Sequence, residues 1–347
     1  MTGLAHRLSD VSMDSLSQFA LGSAIGIVVM RRRTAPWKAA LIGGLAATLP
    51  DLDAFYNHGD PISNMTLHRA NSHALFWLTI ASPVVALIAA FAAREMQNFW
   101  RWWLAVWLAL FTHPLLDWFT VYGTQLLRPF TDFPYAIGSM FIIDPLYTLP
   151  LLIGIIVALI WRNDTGWRWA AGGLVVSTLY LGWSVAAQAY VQGVAEAALR
   201  ADGRKVERLL VTPTALNTML WRVVAITPDG YLEGFHSVFD RDSKMTFDPF
   251  PRGEALYEAM KGNAYVDRIA WFTDGFFKMG ERDGRVIVTD LRMGQEPYYT
   301  FNFMVGQRQS PTIGAIHPTH FAERHNLREG LSWVWRRALG ETVPPPR

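Results

Sequence analysis

From Ser15 to about Gln188 the sequence alternates long apolar runs with short polar breaks, and beyond that the pattern turns mixed. The runs cover residues 16–30, 37–49, 73–93, 102–119, 141–161 and 167–189. About 20 apolar residues cross the hydrocarbon core of a bilayer, so the third, fifth and sixth runs are long enough to span. The first two are short, and Gly22, Gly26, Gly43 and Gly44 predict close helix pairing or a re-entrant hairpin within a bundle. Further on, "AYVQGVAEAALRADGRKVERLL" predicts an amphipathic helix leading off the membrane. Two β-rich runs flank Pro228-Asp229-Gly230, a hairpin signal. "GRVIVTDL" and "YYTFNFMVG" predict strands, and "RGEALYEAMKG" and "REGLSWVWRRAL" predict helices. The expected fold is a membrane α-helical bundle of about four to six transmembrane or re-entrant helices, followed by a small soluble α+β domain. The boundary falls between residues 1–189 and 190–347.

Composition agrees with a lipid solvent for part of the chain. Of 347 residues 51% are hydrophobic and 17% charged, with 15 Trp, and the mean hydropathy is +0.15. Trp100, Trp102, Trp103, Trp161, Trp167 and Trp169 sit at segment ends, where an aromatic belt is expected. Lys+Arg number 31 against 29 Asp+Glu, so bulk charge gives no reason to expect nucleic acid. Cysteine is absent, which excludes disulfides and thiol nucleophiles and leaves His and carboxylate as the strong metal ligands. The start "MTGLAHRLSDVSMDSL" lacks the pattern of a cleaved signal, so insertion is expected to rely on the first membrane helix. Arg31, Arg32, Arg33 and Lys38, with Arg94, Arg101, Arg162 and Arg168, place their loops in the cytoplasm. An integral inner-membrane protein is expected, with the remaining loops and the C-terminal domain on the extracytoplasmic face.

Those remaining loops hold the polar residues least suited to lipid. His113 and Asp117, in "THPLLDWFTVYG", are four apart and share one helix face, within reach of a single ion. A structural reading, in which His113 bonds a neighbouring helix and Asp117 ends the segment, has about even standing. "LPDLD" puts Asp51 and Asp53 after an apolar run; alone, such a pair is more often a solvated cap. "LHRANSH" supplies His68 and His73, with Asn71 or Ser72 placed to cap the next helix, although an interfacial His is commonly plain polar edging. Their joint occurrence on one membrane face tips the balance toward a His/Asp site for one or two divalent ions. Zinc is the first choice, manganese or iron the alternatives.

The succession "MDSLSQFALGSAIG", "LPDLD", "HRANSH", "THPLLDWFTVYGTQLLRPF" and "IIDPLYTLPLL", then "TPTALNTMLWRVVAITPDGYLEGFHSVFD", resembles the YdjM family of membrane-bound metal-dependent hydrolases. The family's His-Arg-Gly-x-Thr/Ser-His-Ser signature falls on His68, Arg69, Ser72 and His73, with Ala70 for the Gly and Ala74 for the last Ser. Gln18 stands where some members carry a His. A shorter stretch is similar to zinc-dependent phospholipase C. The resemblance implies a metal-dependent hydrolase of the inner membrane.

The expected ligands are therefore His68, His73, His113, Asp117 and Asp53, with Asp51 and Asp53 as bridging ligand or base. Arg69 and Arg128 are candidates for holding a phosphate oxygen, or else loop anchors at the headgroups. Asp144, before Pro145, fits a helix N-cap, and with Gln18 it is a second-tier candidate. His317 and His320 lack a carboxylate at helical spacing and are read as ordinary loop histidines. The expected activity is hydrolysis of phosphoester bonds in lipid-derived or amphipathic substrates, with no nucleic-acid partner. The alternative is a non-catalytic membrane protein with a structural metal or polar cluster, whose C-terminal domain binds a partner. A transporter has less support, because no matching halves or paired broken helices stand out.

Overall fold

The computed structural model describes residues 2–242, 244–309, 312–323 and 326–347, with side chains of the first helix from Ser15 onward. The side chains of the first fourteen residues, where the absence of a cleaved signal was read, lie outside this description. The chain divides into two compact units. The first comprises Met1–Tyr56, His68–Ile137 and Ile142–Ser184; the second comprises Asn57–Leu67, Gly138–Phe141 and Val185–Arg347.

The helices are α1 (Thr2–Met30), α2 (Pro36–Thr48), α3 (Pro61–Leu67), α4 (Leu75–Ala93), α5 (Phe99–Trp118), α6 (Pro145–Ile160) and α7 (Asp164–Ala201). Among the described residues, α4 and α7 are long and apolar enough to cross a membrane. On α4 the residues Ile80, Val84, Leu87, Ile88 and Phe91 are all exposed, at the spacing of one helical face, as a lipid-facing surface requires. The fifth apolar run is shorter as a helix than its hydropathy suggests, because Asp144 caps α6 and Pro145 fills its first position.

Helices α1 and α2 pack backbone to backbone. A Cβ on Gly22 would overlap the Gly43 carbonyl oxygen, and one on Gly43 would overlap that of Gly22. These glycines let the main chains approach as small residues do in membrane interfaces. The contact aligns the end of α2 with α5, where Ala46 and Ala47 join Leu78, Ala109 and Leu110 in one apolar cluster.

The second unit is built on antiparallel sheets. Its strands are β1 (Arg208–Pro213), β2 (Leu220–Thr227), β3 (Gly230–Ser237), β4 (Phe247–Phe250), β5 (Phe277–Arg282), β6 (Arg285–Asp290), β7 (Gly294–Gln295), β8 (Tyr298–Tyr299), β9 (Asn302–Gln309) and β10 (Thr312–Phe321). One sheet has the order β1-β2-β3-β4, another β10-β9-β6-β5, and β7-β8 form a small ladder. The hairpin signal forms the β2–β3 turn: Thr227 pairs with Gly230, leaving Pro228 and Asp229 as the loop. His317 and His320 lie on β10 rather than in a loop. The remaining helices are α8 (Glu254–Ala259), α9 (Ala264–Phe272) and α10 (Leu327–Ala338). The predicted amphipathic helix is the second half of α7, whose Val191 and Ala195 join Val211, Trp221 and Val223 in the core of this unit.

Candidate metal centre

Three short pieces of backbone converge on one buried cluster. The first is the 3-10 turn Pro50–Phe55 that follows α2. With three residues per turn, carboxylates two apart point to different sides, so Asp51 and Asp53 meet different partners. The second is the 3-10 turn Asn71–His73. The third is the last part of α5, where the four-residue spacing puts His113 and Asp117 on one face.

Asp51, His73, His113 and Asp117 bring one ligand atom each within 4.8 Å of one another. His73 and His113 are 0% exposed, Asp117 1% and Asp51 6%. His73 Nε2 lies 3.4 Å from Asp51 Oδ1 and 3.3 Å from Asp117 Oδ2. His113 Nε2 lies 3.4 Å from each of the same two oxygens. The two Nε2 atoms are 3.0 Å apart.

The hydrogen bonds around the cluster fix both ring tautomers. His113 Nδ1 is 2.6 Å from the Ala47 carbonyl oxygen, which only accepts, so Nδ1 carries the proton and Nε2 a lone pair. Ser72 Oγ donates its one proton to Asp53 Oδ2. It therefore accepts from His73 Nδ1, 3.0 Å away, and His73 Nε2 is also a lone pair. Two such lone pairs at this distance repel unless the nitrogens share a proton or a metal cation lies against both. Asp51 Oδ2 and Asp117 Oδ2 are buried without a hydrogen-bond partner, a second sign of acceptors that await a cation. The donor set, two imidazoles and two carboxylates without sulfur, suits zinc, manganese or iron.

Charge points the same way. Arg69 is buried, with its guanidinium 3.3 Å from Asp117 Oδ1 and bonded to Thr120 Oγ1 at 3.2 Å. That single permanent cation stands against the carboxylates of Asp51, Asp53 and Asp117, an imbalance a divalent ion corrects. Burial pushes the Asp51 carboxyl up, but the facing His113 and His73 imidazoles overcome it and hold Asp51 well below the usual carboxylate range. Burial likewise disfavours charge on His73, yet the Asp117 and Asp51 carboxylates facing its Nε2 outweigh it and raise its affinity for a proton.

The other sequence candidates take places around this core. His68 Nδ1 is 2.8 Å from Asp53 Oδ1, at the more open edge of the cluster. Burial would raise the Asp53 carboxyl, but His68 and Ser72 bonding and the nearby imidazoles bring it down to about 2. Arg69 adopts a positive φ of 63°, with its N–H bonded to Asp53 Oδ2 and its carbonyl accepting from Gln125. Gln18 Nε2 donates to Asp117 Oδ1 at 3.0 Å and to the His113 carbonyl at 3.1 Å. Arg128 bonds Asn71 Oδ1 at 3.3 Å. Asp144 lies apart from the four-residue group, capping α6 through Leu146 N and accepting from Tyr180 Oη at 2.7 Å. Ser72 does not cap α4, whose N-cap position is Ala74.

All of these residues lie within one matched segment: a family model described as YdjM inner membrane protein covers residues 13–191, more than half of the chain. The chain belongs to the YdjM inner membrane protein family. It is also similar to the uncharacterized protein YfhP of Bacillus subtilis, 23% identical over 92% of this chain and 98% of that protein. No solved structure matches it. Membership agrees with the apolar helices α4 and α7 and makes the buried His/Asp cluster a feature of a membrane protein. One group of the site, the Ala47 carbonyl, gives no signal in the residue pattern because it is a main-chain atom, whereas Ser72 stands in the signature but its bond to Asp53 depends on the turn that carries it.

Proposed function

We propose that this YdjM-family protein is a metal-dependent hydrolase of phosphoester bonds in lipid-derived or amphipathic substrates. The observation that carries the reading is the convergence of the His73 and His113 Nε2 lone pairs with two carboxylates in a buried site. Asp51, His73, His113 and Asp117 would hold the ion. When bound, a divalent ion supplies Lewis acidity toward a phosphoryl oxygen and lowers the pKa of water at the site.

The chain's own groups supply the rest. Asp53 orients His68 through Nδ1, leaving the other ring nitrogen of this partly exposed imidazole to take or return a proton. Arg69 and Gln18 hold Asp117 in place, and Ser72 ties His73 to Asp53. A lipid-like substrate is supported by the apolar rim beside the ligands: Leu52 and Phe55 are exposed on the Asp51 turn, and exposed Phe130 packs on Phe76 at a ring distance of 5.5 Å. The inner-membrane location follows the family; the site and the C-terminal domain are proposed to face away from the cytoplasm, from the arginine-rich loops.

A second reading has its own observation. Four buried protein donors is the number that closes a structural zinc site, in which case the ion supports the fold and the C-terminal unit binds a partner. Turnover of phosphatidate and related phosphoester amphiphiles in mixed micelles separates the two. The hydrolase reading expects phosphate or headgroup release that His113→Ala and Asp117→Asn abolish while the protein still inserts and folds. Retained turnover in either variant overturns the assigned roles, and absence of turnover in metal-loaded wild type across the panel favours the structural reading.

A further inference from the structure

A second pocket lies at the other end of α2 from the metal cluster. Asp51 follows the last turn of α2, whereas the pocket opens beside Pro36 at its first, about 20 Å away along the helix. It is a cavity of about 330 Å³ whose lining includes Arg31, Arg32 and Arg162 together with Ile27, Pro36 and Ala158. Asp164 at the start of α7 lies 3.5 Å from the Arg31 guanidinium and 3.1 Å from that of Arg32. Arg31 also stacks over Trp167 at 4.7 Å, and Trp167 Nε1 is anchored on the Val28 carbonyl at 3.0 Å. Two guanidinium groups thus share one carboxylate and are oriented before any ligand arrives, and Arg162 adds a third to the lining.

The depth of the pocket identifies its ligand. Beside its lining residues in the chain, Trp37 on the first turn of α2, Trp161 just after α6 and Trp169 on the second turn of α7 are about half exposed. Tryptophans at helix ends mark the headgroup layer of a bilayer. A cavity there, lined by both guanidinium groups and apolar side chains, matches a phosphate diester joined to glycerol and acyl chains.

We propose that this pocket binds the phosphate headgroup of an anionic phospholipid, at a site separate from the metal centre. Arg31, Arg32 and Arg162 grip the phosphate, and Asp164 holds the first two in position. Ile27, Pro36 and Ala158 meet the apolar part of the lipid. The site requires no metal and survives loss of the His/Asp cluster.

The test titrates wild-type protein in neutral detergent with phosphatidylglycerol, phosphatidylcholine or inorganic phosphate. Binding is read by native mass spectrometry and by the thermal unfolding midpoint. Phosphatidylglycerol is expected to remain bound and raise the midpoint, and the other two to do neither. The Arg31→Gln/Arg32→Gln/Arg162→Gln variant is expected to bind phosphatidylglycerol about tenfold more weakly or worse. Arg94→Gln, outside the pocket, should bind as wild type does. If the triple variant does not insert, Arg162→Gln alone is read in the same way, with about a fivefold loss expected. Equal response to phosphatidylcholine or inorganic phosphate, or unchanged affinity in the pocket variants, overturns the proposal.

Discussion

His73 and His113 point their Nε2 atoms at each other across 3.0 Å, and each ring is fixed as an acceptor by the hydrogen bond at its Nδ1. One partner is the Ala47 carbonyl at the end of α2, the other the Ser72 hydroxyl polarised by Asp53. Such partners set the tautomer and basicity of metal-binding imidazoles. The residues that surround the cluster are therefore as informative as the four that form it.

Removing the Ser72 hydroxyl tests this relation without touching a ligand. Ser72→Ala is expected to lower metal affinity by about 10- to 100-fold while leaving insertion intact. Chelator competition measures it, and wild-type affinity in the variant contradicts the tautomer assignment.

The α1–α2 contact makes a stability prediction. Gly43→Leu drives a side chain into the Gly22 carbonyl, which the backbone must move to accommodate. We expect a loss of about 1–3 kcal/mol or more, together with weaker metal retention, because α2 also carries the Ala47 carbonyl. Gly172→Ala on α7 is the comparison: its Cβ meets nothing within 4 Å, and helix propensity alone predicts no loss. Thermal unfolding in detergent distinguishes the two.

In the C-terminal unit, Arg222 and Glu233 form a buried pair on neighbouring strands, with Arg222 Nε 2.7 Å from Glu233 Oε2. Arg222 also donates to the Leu291 carbonyl at 2.7 Å and to Tyr299 Oη at 3.1 Å. Arg222→Met leaves Glu233 short of a buried partner and should cost about 3–5 kcal/mol, measured by denaturant unfolding of the full chain. A cost below about 1 kcal/mol would show the pair to be dispensable.

Acid should loosen α10. Burial opposes charge on Asp240, but bonds from Arg337 and the Ser237 N–H hold its carboxyl below the ordinary 3.8. A depressed carboxylate contributes stability that is full above its unfolded pKa and lost as pH falls through the folded value. His236 beside it is held below 6.5, first by burial and then by Arg337, so protonating it also opposes folding, and its contribution fades as pH drops under 6.5. Protection factors of the α10 amides, exchange rates corrected for the intrinsic pH dependence, should fall between about pH 6 and pH 3, and Asp240→Asn should flatten the lower part of that change. A flat wild-type profile contradicts this account.

Much of this arrangement is legible in residue spacing. Period and length mark the apolar segments, the Pro-Asp-Gly signal marks the β2–β3 turn, and the spacing of four puts His113 and Asp117 on one face. Spacing is silent where the backbone tightens. In the Pro50–Phe55 turn, Asp51 joins the four-residue group while Asp53 turns to His68 and Ser72, and either assignment is compatible with "LPDLD". Arg69, a candidate phosphate holder by chemistry, is buried against Asp117 because its positive φ folds the loop inward. Strand β10 has no clear alternation, since its burial depends on pairing rather than on period, while β5 buries only Phe277 and Met279 and α9 only Val266, Ile269 and Phe272, runs too short to stand out in the chain.

The central claim is that Asp51, His73, His113 and Asp117 hold a divalent metal ion. Metal content by mass spectrometry, on gently purified wild type beside His113→Ala and Asp117→Asn, tests it most directly. The account predicts stoichiometric zinc, manganese or iron in wild type and its loss in both variants, each still folded in detergent. Metal-free wild type after ions are resupplied, or full metal retention in the variants, would contradict it.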